Sequence, residues 1–132
     1  MDDFLKKVVG GNGVSPSDVC LHAFNENFAN AINVEWSKRG SCYEAIFYKN
    51  GLEHIAVFDL LGNLMEYRLN LPADFLPTAI RNIVASKGEI MNSVLKNWGN
   101  MLEYEVIVRD KDLNRYLITF SDIGSIIDER KL

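Results

Sequence analysis

The sequence predicts an α+β fold in which two tandem α-ββββ repeats form one curved antiparallel sheet with both helices on one face. Three observations support this prediction: an internal repeat, helical periodicity at the start of each copy, and strand alternation interrupted by turn signals after it. The length of 132 residues, with 48% hydrophobic and 24% charged residues, is typical of a globular domain. We therefore expect a single domain over residues 1–132.

The internal repeat is visible as matching segments that occur in the same order in both halves of the chain. The matches are Pro16–Phe24 with Pro72–Ile80, Trp36 with Trp98, Tyr43–Phe47 with Tyr104–Val108, and Phe58–Leu64 with Phe120–Ile126. They place the two copies at about residues 15–70 and 71–131. Residues 1–14 contain the glycine-rich stretch Gly10–Gly13 and are predicted to be a flexible N-terminal segment.

Each copy begins with a predicted helix. The first is predicted to have Ser15 as its N-cap and Pro16 at the first helical position, because serine caps helices and proline is tolerated there. Its apolar stripe consists of Leu21, Phe24 and Phe28. The second helix is predicted over roughly residues 73–86. Since proline lacks an N–H donor, Pro77 is expected in the first turn of the main segment of that helix.

The segments that follow each helix alternate between apolar and polar residues and predict strands. The predicted strands are residues 32–37, 43–48, 55–58 and 64–69 in the first copy, and 90–95, 102–109, 116–120 and 125–128 in the second. Asn50 and Gly51 form a strong hairpin signal, because both residue types accept the positive φ angles of a tight turn. Gly62 and Gly124 mark the turns before the last strand of each copy.

The order and spacing of these motifs resemble a known family. Phe28, Val34 and Trp36 match the pattern F-P-x-A-x-x-V-x-W, although Ala29 stands at the proline position. The later motifs are Tyr43-Glu44-Ala45-Ile46-Phe47, Asn50-Gly51 and Ala56-Val57-Phe58-Asp59 with Gly62, followed by Tyr104-Glu105-Val106 and by Leu117-Ile118-Thr119-Phe120 with Gly124. Over about residues 16–128 the chain is similar to small bacterial proteins called PepSY-like or β-lactamase-inhibitor-like.

This resemblance implies the same tandem fold. It also implies an exported protein, because most relatives are exported, and no activity is established for most of them. The namesake inhibitors bind an enzyme through the concave face of the sheet. The sequence as given starts with acidic residues and has no apolar leader segment. We therefore expect a periplasmic or secreted location if a leader was removed, and a cytoplasmic location otherwise.

Charge and hydropathy exclude two classes of partner. The net charge is −4 at pH 7 and the isoelectric point is about 5.1, so the basic footprint of a nucleic-acid-binding protein is absent. No apolar run approaches the roughly 18 residues that a transmembrane helix requires. The expected partner is therefore a protein or peptide, and the oligomeric state is left open.

The residues that could carry chemistry do not form a recognisable site. Cys20 and His22 are two residues apart on a predicted helix and point roughly 200° apart, so they cannot share a metal ion. The run from Asp110 to Asn114 resembles the start of a calcium loop, but Arg115 replaces the required glycine, and a hairpin turn explains it better. We predict no catalytic residue, metal or cofactor. For Cys20 and Cys42 the sequence favours two free thiols over the alternative, a disulfide formed in an oxidising compartment.

Strand alternation assigns side chains to two faces of the sheet. The side chains predicted to pack under the helices are Tyr43, Ala45, Phe47, Ala56, Phe58, Leu64, Tyr104, Val106, Val108, Ile118 and Phe120, together with Trp36 and Trp98 as core or edge packing. The candidate partner-binding residues on the opposite face are Glu44, Ile46, Tyr48, Glu53, Ile55, Val57, Glu105, Ile107, Arg109 and Leu117.

The opposite face mixes aliphatic and charged side chains, which favours a recognition surface. The alternative is that β-branched residues stand there only because they favour strands. The predicted function is a non-enzymatic binding or regulatory protein that uses this open face. Two alternatives remain: an inhibitor of a secreted hydrolase, and a cone-like α+β domain that binds a small ligand or acts as an enzyme.

Overall fold

The structure is a computed structural model that describes residues 14–132. Its elements are the helices α1 (Asp18–Asn27) and α2 (Thr78–Ala85), the short 3-10 turn Ala73–Phe75, and the strands β1 (Ile32–Arg39), β2 (Cys42–Lys49), β3 (Leu52–Asp59), β4 (Leu64–Asn70), β5 (Glu89–Trp98), β6 (Met101–Arg109), β7 (Arg115–Ser121) and β8 (Ile126–Lys131). Within the described residues the eight strands are joined in sequence order, and every pairing whose register is resolved is antiparallel. The predicted α+β fold is confirmed.

The chain divides into two compact units, which we call unit 1, up to Tyr67, and unit 2, Arg68–Leu132. In the described part of each unit, one α-helix precedes a series of antiparallel strands. The internal tandem repeat, with copies at about residues 15–70 and 71–131, stays a prediction. Of the predicted flexible segment, residues 1–13 lie outside the described residues.

The first helix begins two residues later than predicted. Ser17, not Ser15, is the N-cap, and its side chain accepts a hydrogen bond of 3.2 Å from the backbone N–H of Cys20. Pro16 therefore precedes the helix and does not occupy its first position. Both serines suit the capping role, but only Ser17 places its oxygen within reach of the first turn.

The second helix is shorter than the predicted span of residues 73–86. Its N-terminal part is a separate 3-10 turn, and the α-helix begins only at Thr78, after Pro77 at the N-cap. The proline ring disfavours helical backbone at the preceding residue, and Leu76 is accordingly extended with ψ 144°. Pro77 thus separates two helical segments that the apolar pattern predicted as one.

The core of unit 1 lies between α1 and strands β2 and β3. Its buried residues are Cys20, Phe24, Ala45, Phe47, Ala56 and Phe58. Phe24 lies at its centre, with ring centroids 5.0 Å from Phe47 and 5.2 Å from Trp36 in edge-on arrangements. Alanines at two strand positions leave room for these rings, so the helix packs onto the sheet through aromatic contacts.

The core of unit 2 is mainly aliphatic. Its buried residues are Leu76, Ile80, Val84, Val106, Val108, Ile118 and Phe120. The side chains of α2 cover the middle of β6 and β7, where Val106 lies opposite Ile118. Because core residues alternate along both strands, the intervening residues point to the face that the helix does not cover.

One predicted core residue, Leu64, lies on the other face. Tyr67 of β4 is the residue that reaches the core of unit 1, stacked 5.5 Å from Phe28. Leu64, three positions earlier in the strand, points the opposite way and is 40% exposed. Leu64 was expected in the core because it is apolar. The inward orientation of Tyr67 instead places Leu64 on the opposite face of β4.

Candidate binding face

The predicted residues of unit 1 lie together on the face that α1 does not cover. They form cross-strand pairs in the register of β2 and β3: Glu44 opposite Val57, Ile46 opposite Ile55, and Tyr48 opposite Glu53. We call these six residues face 1. They occupy this face because the residues between them along each strand fill the core under the helix.

Face 1 has an apolar centre. Val57 is only 7% exposed, and Ile46 and Ile55 beside it are half-buried. Tyr48 lies at one end of this centre with 39% of its surface exposed, and the neighbouring strand places Ile32 opposite it. Directly opposed aliphatic side chains at the middle of a solvent-side sheet give a surface that a partner can desolvate at little cost.

Charged groups surround this centre. Arg39 forms an ion pair of 2.9 Å with Glu44, and the Tyr48 hydroxyl donates a hydrogen bond of 3.2 Å to Glu53. That hydrogen bond and the negative charge of Glu53 raise the pKa of Tyr48, and Glu35 adds to the effect. The carboxylates Glu35, Glu44 and Glu53 outnumber the single cation Arg39 around this centre, so the rim of face 1 is acidic.

The predicted residues of unit 2 lie on the face that α2 does not cover. We call Glu105, Ile107, Arg109 and Leu117 face 2. Ile107 lies opposite Leu117, and both are half-buried. Face 2 therefore has an aliphatic cross-strand pair like the one in face 1, with charged residues on either side along β6.

The charges of face 2 are held by ion pairs. Glu105 lies 3.6 Å from Lys96 and 3.8 Å from Arg68, so one carboxylate faces two cations. Arg109 forms an ion pair of 3.0 Å with Glu89. These pairs fix long side chains next to the aliphatic pair, but each is partly exposed and therefore adds little stability.

The sequence pattern missed an exposed tryptophan on the same side of unit 2. Trp98 lies opposite Met101, at the tip of the β5–β6 hairpin, and is 46% exposed. The Lys96 ammonium lies 5.0 Å from its ring centroid. Trp36, by contrast, lies opposite Ala45 in the core. The predicted match between Trp36 and Trp98 is therefore wrong, and Trp98 belongs beside face 2.

The histidines and cysteines do not form a metal or nucleophilic centre. Within residues 14–132, no three His, Cys, Asp or Glu side chains come together as metal ligands. His22 is exposed beside Glu26 at 3.0 Å, whereas Cys20 is buried and its thiol donates to the carbonyl oxygen of Asp59 at 3.0 Å. Both cysteines are free thiols, as predicted.

The run that resembles a calcium loop is a hairpin turn. Asp110 Oδ1 accepts hydrogen bonds from the backbone N–H groups of Asp112 and Asn114, at 2.9 and 3.0 Å. The carboxylate therefore stabilises its own turn, as expected for an aspartate that opens such a loop. Neither helix between residues 14 and 132 has the length and apolar character needed to cross a membrane.

The fold is shared with several solved structures. No protein-family model matches the chain, and no curated protein matches it. A BLIP-like protein from Bacteroides fragilis has a TM-score of 0.79 at 21% identity, covering 90% of this chain and 88% of that protein. A DUF2874 family protein from Bacteroides uniformis has a TM-score of 0.80 at 27% identity, covering 89% and 90%.

A third structure, from Bacteroides eggerthii, carries a provisional description as a periplasmic protein. Its TM-score is 0.80 at 19% identity, and the match covers 89% of this chain and 90% of that protein. The predicted resemblance to β-lactamase-inhibitor-like proteins is thereby confirmed, because BLIP-like and DUF2874 proteins share the fold over nearly the full length. At these identities the likeness establishes architecture and leaves the target open.

Proposed function

We propose that the chain is a non-enzymatic protein-binding module that uses the helix-free sides of its sheet, face 1 and face 2. The observation that carries this proposal is the pair of aliphatic centres, Ile46 with Ile55 and Ile107 with Leu117, each flanked by charged side chains. An apolar centre with a polar rim is the usual composition of a protein interface. A sheet face that only meets water is typically polar at such positions.

The matching structures support a binding role without naming a target. They carry the names BLIP-like and DUF2874, neither of which denotes an enzyme. The buried polar side chains of the described residues also have structural partners. His54 and Ser93 each hydrogen-bond a backbone carbonyl inside the fold, so these bonds stabilise the binding module.

A photo-crosslinking experiment tests the proposal. A benzophenone amino acid is placed at Tyr48 or Leu117 on the faces, and at His22 or Arg81 on the exposed sides of the helices as matched controls. In an extract of the organism that encodes the chain, the face positions are expected to give a discrete adduct and the helix positions none. The adduct protein is then purified and titrated against the chain.

A charge-reversed variant supplies the second part of this test. Glu44→Arg combined with Arg109→Glu keeps the net charge of the chain and reverses the charge on both faces. Binding of the purified adduct protein should fall about tenfold or more, since hydrogen-bonded charges at an interface each contribute on this scale. Thermal stability should change little because both ion pairs are partly exposed. Unchanged binding would refute the proposal.

A narrower candidate is inhibition of a secreted hydrolase. It is supported by the name of the Bacteroides fragilis structure, BLIP-like, and by a likeness that covers 90% of this chain. Purified chain should then lower the hydrolysis of a chromogenic β-lactam by a secreted β-lactamase, and the charge-reversed variant should not. A periplasmic or secreted location belongs to the same proposal and is tested by cell fractionation. The cone-like alternative stays a prediction.

A further inference from the structure

We propose that one end of face 2 recognises a carboxylate-bearing segment of a protein partner. This end carries Arg109, Arg115 and Arg130, which we call the arginine cluster. The inference rests on the proposed function, because it specifies the partner chemistry of the same face.

The arginine cluster contains a like-charge pair that the fold does not need. Arg109 of β6 lies directly opposite Arg115 of β7 in the antiparallel register. Like charges at opposed positions destabilise a sheet. A pairing that costs stability, on an exposed surface where neutral residues would serve, indicates a role outside folding.

Two of the three guanidinium groups have no acidic partner among residues 14–132. Arg109 is bound to Glu89 at 3.0 Å, but Arg115 and Arg130 form no ion pair with any residue between 14 and 132. Acidic residues outnumber basic ones in the chain, 18 to 14, so carboxylates are abundant. Even Asp128, two positions before Arg130 on β8, does not pair with it. The cluster therefore offers positive charge to a binding partner.

The cluster adjoins the aliphatic centre of face 2. Leu117 lies opposite Ile107 on one side and opposite Arg130 on the other, so the apolar and cationic groups occupy one surface. A guanidinium group binds a carboxylate through two parallel N–H donors. A segment that alternates carboxylate and aliphatic side chains complements both features. The net charge of −4 disfavours a nucleic acid as the occupant.

A fluorescently labelled ten-residue peptide of alternating Glu and Val is the probe, with a Gln–Val peptide as its neutral match. The Glu peptide is expected to bind the full chain, more weakly as salt rises. The variant Arg115→Glu with Arg130→Glu should weaken this binding by about tenfold or more. The control Arg81→Glu with Lys131→Glu makes the same change in net charge away from face 2, because Lys131 lies opposite the helix-side residue Tyr116. It should leave binding within about twofold.

Several outcomes would overturn the inference. Equal affinity for the Gln and Glu peptides would show that the carboxylates are not recognised. Equal losses of affinity in the two variants would show that only the net charge of the chain matters. Tighter binding of a single-stranded oligonucleotide of matching charge would assign the cluster to nucleic acid. If the Leu117 adduct forms undiminished in the Arg115→Glu, Arg130→Glu variant, this inference fails and the proposed function stands. If no face position gives an adduct, the proposed function itself fails.

Discussion

His54 and Tyr67 are joined by a hydrogen bond of 2.5 Å between Nδ1 and the phenol hydroxyl, inside unit 1. His54 is 7% exposed, and its Nε2 lies 3.1 Å from the carbonyl oxygen of Lys49. A carbonyl only accepts hydrogen bonds, so Nε2 carries a proton, and in the neutral imidazole Nδ1 accepts from the Tyr67 hydroxyl. The imidazole is thus held in one tautomer, stacked 5.1 Å from Phe47, next to the β2–β3 hairpin.

Removal of the Tyr67 hydroxyl should destabilise the protein. In Tyr67→Phe the buried Nδ1 of His54 loses its donor, which typically costs about 1–3 kcal/mol. The free energy of unfolding in urea measures the loss. Tyr43→Phe is the matched control, because Tyr43 packs against the same core and its hydroxyl has no hydrogen bond to a residue within 14–132. Equal losses in the two variants would contradict a specific role for the His54 hydrogen bond.

The Asp59 carboxylate should make stability depend on pH in the acid range. It accepts hydrogen bonds from the backbone N–H groups of Leu61 and Asn63 and from the Asn63 amide. These donors lower the pKa of Asp59, the Asn63 amide most of all. Its contribution is therefore complete above the unfolded pKa, about 3.9, and is lost as pH falls through the lower folded value.

Asp59→Asn isolates this effect because the amide does not titrate. The variant should be less stable than the wild type at pH 7, and the difference should shrink as the pH falls below about 4. Urea unfolding at a series of pH values measures both proteins. A difference that stays constant down to about pH 2 would contradict a stabilising charge at this position.

Periodicity predicted most of the fold because core side chains alternate cleanly along β2, β3, β6 and β7. It failed where the backbone departs from regular alternation. The β5 strand shifts register between Ile90 and Asn92, so Ser93 points into the core and Val94 points away from it. From polarity alone, Val94 would be expected in the core and Ser93 on the open face. Only the pairing of β5 with β6 shows that their orientations are exchanged.

The register shift in β5 also explains why the sequence did not predict Trp98 beside face 2. All ten predicted site residues lie on the helix-free faces, since they come from the regular strands. The match with Trp36 predicts core or edge packing for Trp98. In the structure, Ser93 opposite Val106 occupies the position that corresponds to Trp36 opposite Ala45. The position of Arg115 opposite Arg109 could not be predicted either, because it depends on the register between β6 and β7, and the sequence of one strand does not determine that register.

The two cysteines should differ in reactivity. Cys20 is fully buried and its thiol donates to the Asp59 carbonyl, whereas Cys42 is only half-buried. A thiol reagent such as DTNB should therefore modify Cys42 in the native protein and reach Cys20 only when the chain opens. Cys42→Ser should abolish the fast phase and Cys20→Ser should preserve it. A fast reaction of Cys20 in native Cys42→Ser would contradict its burial.

Gly62 should be far less tolerant of alanine than Gly51. Both have positive φ, 86° and 77°, but a Cβ at Gly62 would lie 2.7 Å from Val19 Cγ1 on α1, whereas Gly51 has open space. Gly51→Ala should cost about 1–2 kcal/mol from backbone strain alone, and Gly62→Ala about 2–4 kcal/mol because it also forces α1 away from the turn. In the Gly62→Ala background, Val19→Ala should recover part of the loss, and a double-mutant cycle measures this coupling. Strict additivity would show that α1 and the turn do not press on each other through these two residues.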